Sequence, residues 1–160
     1  MKLPFHRTLF RFLIKKTALQ RPPDFIVGGT DRPYLHRWHV IPRNRLFNIY
    51  FHNFLRSDDD RALHDHPFVN LSIILDGCYV EHTAHDQELL LEGQVKFRSS
   101  GKFAHRIELR FGVCWTLFIT GPRYRNWGFN CVDSLGYQKW VPWQEFVDDQ
   151  DRGLIGRGCE

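Results

Sequence analysis

The chain has 160 residues, 42% of them hydrophobic and 15% aromatic, which fits one compact domain with a real core and excludes disorder as the default. A net charge of +4 with a pI near 9.0 raises nucleic acid as a partner. However, the excess cations concentrate before residue 46, and no zinc-finger, helix-turn-helix or RNA-recognition pattern accompanies them, so no nucleic acid partner is expected.

In chain order, "MKLPFHRTLFRFLIKKTALQ" mixes Phe and Leu with Arg7, Arg11, Lys15 and Lys16. It reads as an amphipathic helix that docks its aromatic face on its own domain. Arg11 would interrupt a secretory signal, and no stretch approaches the about 20 apolar residues of a membrane span, so no membrane partner is expected. Residues 20–33 are turn-rich and read as a linker. From residue 34 the pattern is nearly all strand: 34–41, 47–55, 70–75, 78–83, 88–91, 94–98, 104–109 and 114–120. "VPWQEFVDD" looks helical again, opened by Pro142. The expected divisions are 1–33 (helix and linker), 34–147 (an all-β antiparallel barrel or jelly roll with a C-terminal helical turn) and a loose tail over 148–160. Cys78, Cys114, Cys131 and Cys159 are widely spaced with no C-x-x-C pair, which predicts no thiolate metal site or disulfide framework and a reducing, cytoplasmic compartment.

Asp76-Gly77 between two apolar runs predicts a two-residue hairpin. That register pairs Leu75 with Cys78, Ile74 with Tyr79, Ser72 with Glu81 and Asn70 with Thr83. One face would then carry Asn70, Ser72, Ile74, Tyr79, Glu81 and Thr83, half of them polar, which suggests a polar pocket lined by Ser72, Tyr79 and Glu81. Asp65 should point away from its histidine neighbours, and His36, His39 and His52 read as packing or surface residues.

His64 and His66 open an apolar run one residue apart, so in an extended chain they share a face. An isolated H-x-H is weak, but Gly77, Gly93, Gly101 and His105 follow it at further spacings. Together these residues resemble the two motifs of the cupin superfamily, G-x5-H-x-H-x3,4-E-x6-G and G-x5-P-x-G-x2-H-x3-N. The resemblance covers about residues 34–120. Within the superfamily, "RALHDHP", "HRIEL" and "TGPRYRNWGF" look like a group of small uncharacterised bacterial and phage-like cupins. Several positions depart from the pattern. Asn70 stands where the motif has Glu, Asp58 where it has Gly, Ser99 where it has Pro and Leu109 where it has Asn, and His105 comes one residue late.

The resemblance implies one transition-metal ion held by His64, His66 and His105, with Asn70 as a weak fourth ligand or water-orienting group. Three imidazoles suit Fe(II), which is favoured, or Zn, Ni or Cu, and serve Mg or Ca poorly. With the motif Glu missing, the resemblance points to three-histidine dioxygenases of small organic substrates. A non-catalytic sugar- or acid-binding cupin is an alternative. So is a metal-independent sugar epimerase or isomerase using His66, Tyr79 and Glu81. Cupins commonly pair through edge strands, and the aromatic residues outside the barrel lead us to expect a homodimer.

Overall fold

A computed structural model describes residues 1–58, 62–132, 136, 138–148, 150 and 154–159. It is mostly β, with antiparallel pairing throughout. Helix α1 (His6–Lys16) is followed by β1 (Phe25–Val27), β2 (Leu35–His39), β3 (Asn48–Phe54), β4 (Leu63–His64), β5 (Asn70–Asp76), β6 (Tyr79–His82) and β7 (Gln87–Leu90). Then come β8 (Val95–Arg98), β9 (Arg106–Glu108), β10 (Cys114–Thr120), β11 (Gly128–Val132), β12 (Gln138–Pro142) and the single turn α2 (Trp143–Phe146). They form a six-stranded sheet, β1-β2-β3-β10-β5-β8, and two three-stranded sheets, β12-β11-β4 and β7-β6-β9. No helix among the described residues is long and apolar enough to cross a membrane.

The two faces of the large sheet differ because side chains alternate along each strand. On the outer face, Trp38, Phe51, Ile73, Leu75 and Leu117 bury against Leu13 of α1, with Phe10 and Ile14 filling in. The helix is therefore fastened to the sheet by its apolar stripe, as its spacing predicts. On the inner face, Leu35, Phe54, Ile74 and Cys114 meet Tyr79, Leu90 and Ile107 from the β7-β6-β9 sheet. The same inner face also carries buried polar groups, His52, Thr116, Thr120, Asn70, Ser72 and Arg98. Buried polar side chains on an inward face are the informative exception to apolar burial.

The expected hairpin at Asp76-Gly77 is corrected. Strand β5 pairs with β10 and β8, whereas β6 pairs with β7 and β9, so the turn is a crossing between two sheets. Only Gly77 takes a positive φ (77°), and a type I′ hairpin would need Asp76 to do so as well. A Cβ at Gly77 would sit 2.4 Å from the Val113 carbonyl oxygen, so the glycine is required by close approach too. Two further corrections concern the ends of the chain. The expected linker contains β1, and residues 128–142 contribute two strands that the turn-rich sequence hid. Cys131 and Cys159 are joined in a disulfide with Cα atoms 5.4 Å apart. It ties part of the expected tail to the small cluster of Ala62, Val141 and Phe146. The reduced-cysteine argument for a cytoplasmic location does not hold for this pair. Cys78 and Cys114 are free.

Candidate metal centre

His64 ends the two-residue strand β4, and its backbone exchanges both hydrogen bonds with His105, at 2.9 Å each. Residues directly opposite in such a pair hold their side chains close, and those two positions on along the chain return to the same side. His66 is that next position. The ring centroids lie 4.7 Å apart for His64–His105, 5.1 Å for His66–His105 and 5.2 Å for His64–His66. One ring nitrogen from each of the three lies within 4.8 Å of the others. The spacing H-x-H supplies two donors and the isolated His64–His105 bridge supplies the third.

The rings are oriented by buried partners. His105 Nδ1–H donates to Glu81 Oε1 at 2.5 Å, which leaves Nε2 with its lone pair turned inward, 2.9 Å from His66 Nε2. Glu81 is in turn paired with Arg98, whose side chain is fully buried. The Arg98 Nη1 group donates to Asn70 Oδ1 at 3.1 Å and Ser72 Oγ at 3.0 Å. Burial alone would lower the Arg98 pKa, but Tyr79 and Glu81 outweigh it and raise it. Asp58 accepts from the Ile107 N–H at 2.6 Å, and its carboxylate lies 3.8 Å from His64 Nδ1. A carboxylate or carbonyl behind a ligating imidazole fixes its tautomer and direction.

The backbone between the histidines is clamped as well. Asp65 points away from the site, as expected from alternation, and is 3% exposed. It accepts from the Gly128 N–H at 2.8 Å and the Trp140 indole N–H at 3.0 Å, and pairs with Arg125 at 2.7 Å. Arg125 also donates to the His66 and Gly101 carbonyls. Gly101 accepts the His66 N–H at 2.9 Å, and a Cβ there would stand 2.4 Å from the His66 carbonyl oxygen. That contact gives the glycine matched in the second motif a physical reason.

Phe68 stacks on His66 at 5.8 Å, Phe118 lies 5.6 Å from it, Phe129 6.3 Å from His64 and Phe103 6.2 Å from His105. Burial pushes the His66 and His105 pKa values well below the ordinary imidazole range, helped by His105 and His64 at His66 and by Arg98 and His64 at His105. Both rings are therefore neutral near pH 7, the state that binds a metal. Three imidazole nitrogens within one ion's reach fit a transition metal.

The structure brings His64, His66 and His105 together, and gathers Asn70, Ser72 and Glu81 around Arg98. Tyr79 packs among Leu35, Phe54 and Ile74, with its hydroxyl bonded to Arg98. Asn70 has its oxygen engaged by Arg98 and its buried Nδ2 without a partner among the described residues. Sequence reasoning missed Arg98, Asp58 and Arg125. The usable signals were an Arg in the even, inward register of β8 and an Asp at the motif's Gly position.

No family model matches this sequence, and no curated protein matches it. Solved structures do match in fold. The DMSP lyase DddQ from Ruegeria pomeroyi DSS-3 superposes with a TM-score of 0.56 at 16% identity, over 71% of this chain and 62% of its own. A cupin-2 domain containing protein from Shewanella frigidimarina gives 0.50 at 12% identity, over 69% of this chain and 92% of its own. KdgF from Halomonas sp. gives 0.50 at 13%, over 63% and 96%. The chain thus spans about three-fifths of the lyase's length. This chain has the cupin fold, and its three histidines form a group able to hold one metal ion.

Proposed function

We propose that the protein is a mononuclear metal-dependent enzyme, an Fe(II) dioxygenase of a small organic molecule, with His64, His66 and His105 as its ligands. The observation that carries this reading is the donor set. It is three imidazoles with no carboxylate among them, because Glu81 is spent behind His105 and the motif's Glu position is Asn70. Such a set leaves positions for both substrate and oxygen, and iron bound there would supply the redox chemistry. The chain's own residues hold His66 and His105 unprotonated, fix the direction of His105 through Glu81 and wall the site with Phe68, Phe103, Phe118 and Phe129. An acid–base isomerase built on His66, Tyr79 and Glu81 has less support, since Tyr79 is in the apolar cluster and Glu81 is paired with Arg98.

The test is metal content of protein purified without chelator and after loading with Fe(II), Zn and Ni, followed by oxygen uptake against a panel of small acids and thiols. About one ion per chain, abolished in His105→Ala, is expected. Less than about a tenth of an ion overturns the metal reading, because unsupported buried donors would then suffice. Full iron occupancy with no oxygen uptake overturns the dioxygenase reading and leaves a binding module.

A further inference from the structure

The inner face holds a second cation whose surroundings are unlike those of Arg98. Arg37 sits in the middle of β2, in register with Phe25 on β1 and His52 on β3. Its Nε–H donates to His52 Nε2 at 2.9 Å, and its guanidinium lies 4.9 Å above the Tyr50 ring and 6.0 Å from Phe25. Among the described residues no carboxylate pairs with it, and neither terminal nitrogen has an acceptor. Its immediate partner is not an anion either. Burial and the Arg37 charge hold the His52 pKa well below the usual value, so that ring is neutral. Arg98 and Arg125, by contrast, each have a carboxylate.

Arg37 is linked to the histidine site through two rings of the same inward face, His52 and Phe118. The His52 ring stacks on Phe118 at 5.4 Å, and Phe118 lies against His66 at 5.6 Å. Half-burial strips part of the hydration of this guanidinium, and burial pushes its pKa down accordingly. With Nε taken by His52, the two terminal N–H groups remain as a planar fork. That fork matches the two oxygens of a carboxylate.

We infer that the site takes a small carboxylate, one end docking on the Arg37 fork and the other facing His64, His66 and His105. This assignment of ligand class rests on the metal-site reading above. A neutral sugar would leave the fork unsatisfied. The close aromatic walls, Phe68 and Phe118, favour a short molecule.

Malonate is a suitable probe and malonamide its neutral counterpart, titrated calorimetrically into wild-type protein, Arg37→Gln and Arg37→Lys, each with and without zinc. Metal stoichiometry is measured separately on every sample. Malonate should bind and malonamide should not. Arg37→Gln should weaken malonate by about tenfold or more while keeping its metal, as expected for loss of a charge-assisted pair. Equal malonate affinity in wild type and Arg37→Gln, or equal affinity of malonate and malonamide, overturns the inference. If Arg37→Gln does not fold, Arg37→Lys decides, since it keeps the charge and loses the fork. Weaker malonate binding then supports the inference and unchanged binding overturns it. If no sample loads zinc, the metal reading falls by itself, and the wild-type and Arg37 variant titrations without metal still decide the role of Arg37.

Discussion

Replacing Glu81 by Ala removes the acceptor of the His105 Nδ1–H and, among the described residues, the only carboxylate paired with Arg98. Asn70 and Ser72 still accept from Arg98, but both are neutral, and Lys96, 3.6 Å from the other Glu81 oxygen, adds charge of the wrong sign. Leaving one member of a buried pair uncompensated costs about 3–5 kcal/mol. For a chain of this size that corresponds to a fall in melting temperature of about 10 °C, read by circular dichroism. Metal affinity should fall about 10- to 100-fold, because His105 loses the group that fixes its tautomer. The double variant Glu81→Leu, Arg98→Met removes both charges, so most of the lost stability should return while the weakened metal binding remains. A loss under about 1 kcal/mol in Glu81→Ala, with unchanged metal affinity, would refute both the buried pair and the orienting role, since a loss that small is typical of a solvent-exposed ion pair.

Asp65→Ala strands the Gly128 and Trp140 N–H groups and the Arg125 charge, and should cost about 3 kcal/mol while loosening His64 and His66 enough to weaken metal binding. A melt and a metal titration on the same sample check both effects. Metal-free protein should lose stability as pH falls below about 6.5. His66, His105 and His52 are held neutral in the folded state with depressed pKa values, so the unfolded chain takes up protons first. Stability is complete above the unfolded value and declines towards the folded ones. Urea melts that do not change from about pH 8 to 5 contradict this, because that interval spans ordinary imidazole titration. Asn70→Ala removes one acceptor from Arg98 and should cost about 1–2 kcal/mol with metal content unchanged. Asn70→Glu should keep or tighten the metal and suppress turnover, and complete metal loss in Asn70→Ala would show the ligand set to be wrong.

The cluster of His64, His66 and His105 was legible because its signal is spacing, which survives any error in strand pairing. The strands over 47–55, 70–75 and 114–120 were legible for the same reason, since alternation of apolar residues is strong there. The hairpin was misread because Asp-Gly serves equally as a tight turn and as a crossing, and only the φ of Asp76 separates them. Even so, Asn70, Ser72 and Glu81 do converge. Arg98 bridges them across two sheets where a shared hairpin face was expected. Arg37 and Arg98 could not be placed from sequence, because a charged residue in a short strand reads as solvent-facing by default. Strands β11 and β12 lie in segments rich in Gly, Asn and Arg, where pairing partners outweigh local propensity. Cysteine spacing says nothing of a bridge between residues 131 and 159.

The two unlike faces of the six-stranded sheet divide the work of the protein by the parity of residue number. In β3, β5 and β10 the even positions, among them Tyr50, His52, Asn70, Ser72, Thr116 and Phe118, look inward, and the odd ones, Ile49, Phe51, Ile73, Leu75, Leu117 and Ile119, look towards α1. Adhesion to the helix is an apolar matter of volume, and it tolerates one hydrophobic residue for another. The recognition proposed for the inner face would depend on individual polar atoms, and would not. A saturation scan of these three strands, scored once for protein abundance and once for ligand binding, would therefore show a two-residue beat. Odd sites would govern how much protein accumulates, and even sites what the accumulated protein can bind. Lineages of this fold are thus free to exchange the even residues for a new ligand while α1 and the odd residues keep the scaffold upright.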